Sequence, residues 1–142
     1  MTDWLARPIL HVRDVETSLR FYIDQLGFTS LFQYNQDGKV YVAGVERQGC
    51  VLILSNTWTD IWPAKIGKGT VFISLNAEPP TTEAGTAAVD ALRKEFDARR
   101  VTVKEGWWGY RLLVIEDPDG NQLFFNYPKE AASGTSARDN RQ

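Results

Sequence analysis

The feature that most constrains this chain is an element order that runs through once and then begins again. Pro8 to Val12 reads as a short strand, with the proline at its start, where a missing amide costs no ladder bond. Asp14 suits the N-cap of the helix that follows, whose apolar residues Val15, Leu19, Tyr22, Ile23 and Leu26 recur at helical spacing. Gly27 ends that helix as a residue free to take a positive φ. Phe28 to Tyr34 reads as a strand and Asn35-Gln36-Asp37-Gly38 as a turn. Lys39 to Glu46 and Cys50 to Ser55 read as two further strands joined around Gly49. A loop from Asn56 to Gly69 follows, and then the pattern restarts. Thr70 to Leu75 is a strand, Glu78-Pro79-Pro80 breaks the chain, and Thr81 or Thr82 caps a helix with an apolar stripe at Val89, Leu92 and Phe96. Val101 to Lys104, Tyr110 to Ile115 and Gln122 to Tyr127 complete the set. Between them lie the loop Gly106-Trp107-Trp108-Gly109 and the tight turn Asp117-Pro118-Asp119-Gly120.

Each half therefore reads β-α-β-β-β, a repeat of topology and not of sequence. It predicts an α+β fold of two βαβββ modules, about 7–56 and 69–128, forming one domain over residues 1–128. Each module curls a sheet into half of a concave cup, and the two halves are expected to enclose one cavity. Residues 129–142 are small, polar and aperiodic, and read as a flexible tail without chemistry. The 142 residues suffice for one domain, and a hydrophobic content of 43% supplies its core.

Charge and composition remove several function classes. A net charge of −2 without a basic stripe does not suit a nucleic-acid partner. No apolar run is long enough to span a bilayer, and no membrane partner is expected. The opening Met1-Thr2-Asp3-Trp4 has no basic region followed by an apolar stretch, and the single cysteine can form no internal disulfide. A cytoplasmic location is the expectation from both. Cys50 lies in the apolar run Cys50-Val51-Leu52-Ile53-Leu54, which suits a small buried hydrophobe better than a nucleophile.

Two motifs at corresponding places in the halves resemble a known family. They are Asp14-Val15-Glu16-Thr17-Ser18-Leu19-Arg20-Phe21-Tyr22, running on to Leu26-Gly27-Phe28, and Glu116-Asp117-Pro118-Asp119-Gly120-Asn121. Both are similar to signatures of the glyoxalase/bleomycin resistance protein/dioxygenase (vicinal oxygen chelate) superfamily, over roughly residues 7–128. Locally these residues read as structural: a cap, a helix-packing stripe and a turn. Enzymes of that superfamily hold a divalent metal through side chains on the cup-facing sides of particular strands. The resemblance places those positions at Arg7, near Ile53, at Thr70 and at Phe124. A guanidinium, two hydrocarbons and one hydroxyl make no such site, which needs imidazole or carboxylate donors. No metal, no cofactor and no catalytic residue is therefore expected. The alternative reading is a metal-dependent lyase, isomerase or dioxygenase of the same superfamily.

The aromatic content points to binding instead. Trp58 and Trp62 share one loop, Trp107 and Trp108 another. An indole offers a flat face on which heterocycles stack. For Trp58 and Trp62 two readings stand open, ligand contact or cover for a sheet edge or dimer contact. The segment Trp107-Trp108-Gly109-Tyr110-Arg111 resembles the Pro-Trp-Gly-Arg loop of bleomycin resistance proteins, and Val51-Leu52-Ile53-Leu54-Ser55 their apolar strand ending in serine. The resemblance implies a homodimer that stacks a planar aromatic drug on Trp108, in a groove between subunits. It implies a second aromatic from near Tyr41, although the residue after it is Val42. The first strand, with Met1 to Arg7 as an arm, suits exchange between subunits. His11, the only histidine, shares a strand face with Arg7 and Ile9. It reads first as a hydrogen-bonded residue lining the cavity, and second as a ligand contact or general base. The expected ligand-binding set is thus Trp108, Trp107, Tyr110, Trp58, Trp62, Tyr41, His11, Phe124 and Arg7. The expected function is sequestration of a planar aromatic molecule such as a bleomycin-family antibiotic.

Overall fold

The computed structural model describes residues 2–57 and 63–129. Both repeats fold as β-α-β-β-β. The first comprises β1 (Ile9–His11), α1 (Val15–Arg20), β2 (Thr29–Gln36), β3 (Lys39–Arg47) and β4 (Cys50–Ser55). The second comprises β5 (Thr70–Ile73), α2 (Thr82–Ala98), β6 (Lys104–Trp107), β7 (Arg111–Glu116) and β8 (Gln122–Asn126). Each forms a four-stranded mixed sheet, ordered β1-β4-β3-β2 and β5-β8-β7-β6. In both, the first strand pairs in parallel with the last, and the hairpins run antiparallel.

The two helices begin differently. Thr81 caps α2 in the expected way, its hydroxyl accepting from the Ala84 amide at 3.1 Å. Asp14 sits at the N-cap of α1 with extended backbone, but its carboxylate takes the Thr17 hydroxyl instead of a backbone amide. After Arg20 the chain widens into a π-helical turn over Phe21–Gln25 and ends at Leu26, before Gly27 at φ 77°. The turns follow the sequence closely. Asp37-Gly38 and Gln48-Gly49 both carry positive φ at both positions, the geometry that matches a hairpin's twist.

Strand alternation divides each sheet into a packed face and an open one. Leu10, Val12, Leu52, Leu54, Ala43 and Val45 of the first sheet are buried against the helices. Leu113, Ile115, Leu123 and Phe125 of the second are buried likewise, and all belong to one hydrophobic core with Tyr22, Leu26, Val89 and Phe96. A fully buried side chain of this size contributes about 1.5–3 kcal/mol. The modules are also joined by polar clamps. Tyr22 donates to Asp117 at 3.1 Å, and Asp117 takes the amides of Asp119 and Asn121, both at 2.9 Å. Asn121 in turn donates to the His11 carbonyl and accepts from the Gly69 amide. Burial raises the Asp117 carboxyl above its ordinary value, against the lowering effect of these hydrogen bonds. Gly67 threads this junction at φ 73°, and a Cβ there would lie 1.9 Å from the Asp119 carbonyl oxygen. A second clamp, Arg47, makes two 2.8 Å contacts with Glu95 and one of 2.7 Å with the Leu26 carbonyl.

Most strand ends fall within a residue or two of the sequence expectation; β6 differs most. Residues 101–103 are not a strand; β6 starts at Lys104 and takes in Gly106 and Trp107. The predicted loop Gly106–Gly109 thus shrinks to a reversal in which the Trp108 amide donates to the Tyr110 carbonyl at 3.0 Å. The reason is the register of β7, which pairs Trp107 with Arg111 and Gly106 with Leu112. Among the described residues, no helix is long and apolar enough to cross a membrane.

Candidate functional site

The open face of the second sheet carries the strongest aromatic concentration. Register places Phe72 of β5 beside Phe124 of β8, and Phe124 beside Val114 of β7. The reversal after β6 swings Trp108 over this row. Its ring centroid lies 5.3 Å from that of Phe72 and 6.5 Å from that of Phe124, both edge-on. Tyr110 closes on Phe72 at 5.9 Å, and the Lys129 ammonium lies 5.8 Å from the Tyr110 ring. Edge-to-face packing of this kind holds rings in place while leaving a flat face free. Trp108 remains 64% exposed, a large apolar surface to leave in water. Beside it runs a shallow groove of about 370 Å³, floored by Leu112, Val114 and Phe124 and edged by Lys104, Glu116 and Gln122.

That groove is lined by the second module alone. The expectation of one cavity enclosed by both halves is therefore not met by this groove. The reason is that the packed faces of both sheets share the core, which leaves the open faces to solvent. The first sheet's open face carries Ile9, His11, Ile53, Ser55, Val42 and Gly44, with Phe32 and Tyr34 at its edge. The Phe32 ring lies across Gly44, where a Cβ would come within 2.3 Å of it. Ile9, Leu31 and Tyr34 are each more than half exposed.

The structure sorts the expected site residues. Trp108, Tyr110 and Phe124 come together. Trp107 reaches the rim of the groove, but it is 76% exposed and makes no ring contact with the described aromatics. It belongs to the opposite alternation of β6, paired with Arg111, whose guanidinium stacks 4.2 Å from the Tyr127 ring on the core side. His11 is half-buried on the open face of the other sheet, beside Ser55, as alternation predicted. Arg7 precedes β1 and is exposed. Tyr41 occupies a break in the pairing of β2 with β3 and is half-buried. Trp58 and Trp62 lie outside the described residues. Sequence reading missed Phe72; the signal was available, since Phe72 stands two residues along the same strand face from Thr70. Cys50 is half-buried, and burial raises its thiol above the ordinary value, which suits packing and not nucleophilic attack.

The metal positions implied by the resemblance can be tested on this geometry. Ile53 faces outward on the first sheet; Thr70 and Phe124 face outward on the second. None of the three brings an imidazole or carboxylate. Among the described residues, no group of three or more His, Cys, Asp or Glu side chains is placed to hold an ion. The residues present do not fit the metal of the superfamily's enzymes. A larger hollow of about 580 Å³ lies at the module junction, lined by Glu46, Arg47, Glu95 and Arg99 among others. Its main charges already face each other, and it lacks an apolar floor.

Paired βαβββ modules, each a four-stranded mixed sheet with its helix, define a fold of the vicinal-oxygen-chelate type. The chain belongs to the Glyoxalase/Bleomycin resistance protein/Dioxygenase superfamily, whose profile matches residues 3–125. Among solved structures it is similar to TnmS3, an antibiotic-binding protein from Streptomyces sp. CB03234. That likeness has 23% identity and a TM-score of 0.64, covering 91% of this chain and 99% of that one. It is similar also to the bleomycin-binding protein of Streptomyces verticillus, solved with copper(II)-bleomycin: 26% identity, TM-score 0.63, 91% and 100% covered. Lactoylglutathione lyase from Agrobacterium tumefaciens shares the fold at 17% identity and TM-score 0.61, with 89% and 95% covered. Comparison with functionally curated proteins gave no match.

Proposed function

We propose that this protein sequesters a planar aromatic small molecule, of the kind flat antibiotics present, and releases it unchanged. The observation that carries the reading is the Trp108–Phe72–Phe124 platform, an exposed ring cluster beside a groove of small-molecule size. The donor set supports binding over chemistry, because the family's metal positions carry no ligands. Similarity to two antibiotic-binding proteins supports the ligand class.

The working form under this proposal is a cytoplasmic homodimer. Each chain leaves two apolar open faces in water, and a second copy could set its first-sheet face, with His11, Ile53 and Tyr34, opposite the aromatic platform. The extended arm before β1, with Trp4 97% exposed, is available for exchange. Trp107, Tyr41 and Arg7 stay in the proposal as rim residues, with Trp108, Phe124 and Tyr110 at its centre; Trp58 and Trp62 stay in it as ligand contacts. Titrating tryptophan fluorescence with bleomycin and with uncharged planar antibiotics tests it. Saturable quenching is expected. Absence of quenching by every member of both groups would remove the reading.

A further inference from the structure

The groove's charge pattern narrows the ligand class, on the assumption that the platform binds as proposed. Two carboxylates line it, Glu116 and Glu105. Neither is free. Glu116 faces the Lys104 ammonium at 3.6 Å and accepts from the Gln122 amide at 3.2 Å. Glu105 is held by Arg93 at 2.7 Å and Arg111 at 3.3 Å. Lys129 adds a further positive charge beside Tyr110. A cationic guest would meet the Lys104 ammonium at the groove edge, with each lining carboxylate already engaged by a cation. The polar edge instead offers hydrogen bonds: the Lys104 ammonium and the Gln122 amide can donate to a carbonyl on a ring lying against Phe124.

We infer that the groove selects planar aromatics that carry no positive charge and present a hydrogen-bond-accepting edge, with the Lys104–Glu116–Gln122 cluster as its specificity device. Two tricyclic probes of equal size separate the possibilities: acridone, uncharged with a ring carbonyl, and 9-aminoacridine, protonated at neutral pH. The anisotropy of each probe's own emission is followed as the full chain is added. Acridone binds more tightly, by about tenfold, and its affinity holds between low and high salt. An indole face attracts cations; equal or tighter binding of 9-aminoacridine would mean that the platform, and not its paired edge, sets the preference, and would overturn the inference while leaving sequestration intact. Failure of both probes to bind would remove sequestration of flat rings itself, and the inference with it.

Lys104→Met gives the second arm. Lys104 is on an edge strand and exposed, so the fold tolerates the change. It leaves Glu116 without its cation and removes one of the two donors to a ring carbonyl, so 9-aminoacridine should gain about threefold to fivefold, in a salt-sensitive way, while acridone weakens by about twofold to fivefold. An unchanged ratio of the two affinities in this variant would contradict the role given to the cluster.

Discussion

The two modules share a topology down to the parallel closing strand, yet their open faces differ in chemistry. The first is aliphatic at its centre, with one imidazole, a glycine roofed by Phe32, and the Phe32–Tyr34 ring pair only at its edge. The second is an aromatic platform with a paired polar edge. Their packed faces, by contrast, are interchangeable in kind: Leu10, Leu52 and Leu54 on one side, Leu113, Ile115 and Leu123 on the other. The core fixes one face of each sheet and leaves the other unconstrained by folding. Function is written on the unconstrained face, which is why one fold hosts both metal enzymes and binders.

Substitutions can break that division in order of expected size. The largest effect falls on the clamp that joins the modules. Asp117→Ala strips a partner from Tyr22, Asn121 and two backbone amides, all at a buried junction, and should cost about 3 kcal/mol of stability by chemical denaturation. A loss under about 1 kcal/mol would mean that the modules are held by the apolar core alone. Next comes Gly44→Ala. The added methyl must displace the Phe32 ring and should destabilise by about 1–2 kcal/mol; because the proposed dimer sets this face against the platform, acridone binding should weaken with it. Unchanged binding would show that the platform binds without the first-sheet face.

Glu95→Gln tests the second clamp. The hydrogen bond from Arg47 holds the Glu95 carboxyl below its ordinary value of 4.5, despite some desolvation. A lowered folded value stabilises the protein above that ordinary value, and the contribution disappears as pH falls through the lower folded one. The wild type should exceed the variant by about 0.5–1 kcal/mol near neutrality, and the two denaturation curves should converge on acidification. A gap independent of pH would assign the effect to packing.

The sequence already carried the repeat, the hairpin turns, the Thr81 cap and the α2 stripe, because each rests on local chemistry: positive φ at Gly38 and Gly49, a hydroxyl three residues before a free amide. Alternation alone put His11 on the face of Ile9, opposite buried Leu10 and Val12. The resemblance singled out Trp108 as the stacking residue but kept Trp107 in the binding set, since which side a ring takes depends on where the strand stops. With β6 ending at Trp107, that indole stays with the strand's core-side alternation and Trp108 enters the reversal. Alternation from Thr70 put Phe72 on the open face, but its ring neighbours come together only once β5 is laid beside β8. The π turn at Phe21–Gln25 was invisible, because one extra residue in a turn keeps Tyr22 and Leu26 buried and so leaves the apolar spacing intact.

The proposed platform depends on Trp108 and not on its neighbour. Acridone titrated into Trp108→Ala and Trp107→Ala side by side is the direct measurement. Trp108→Ala should lose about tenfold or more in affinity, and Trp107→Ala should stay within about twofold of the wild type. Equal losses in both variants, or a loss confined to Trp107→Ala, would contradict the assignment of the platform.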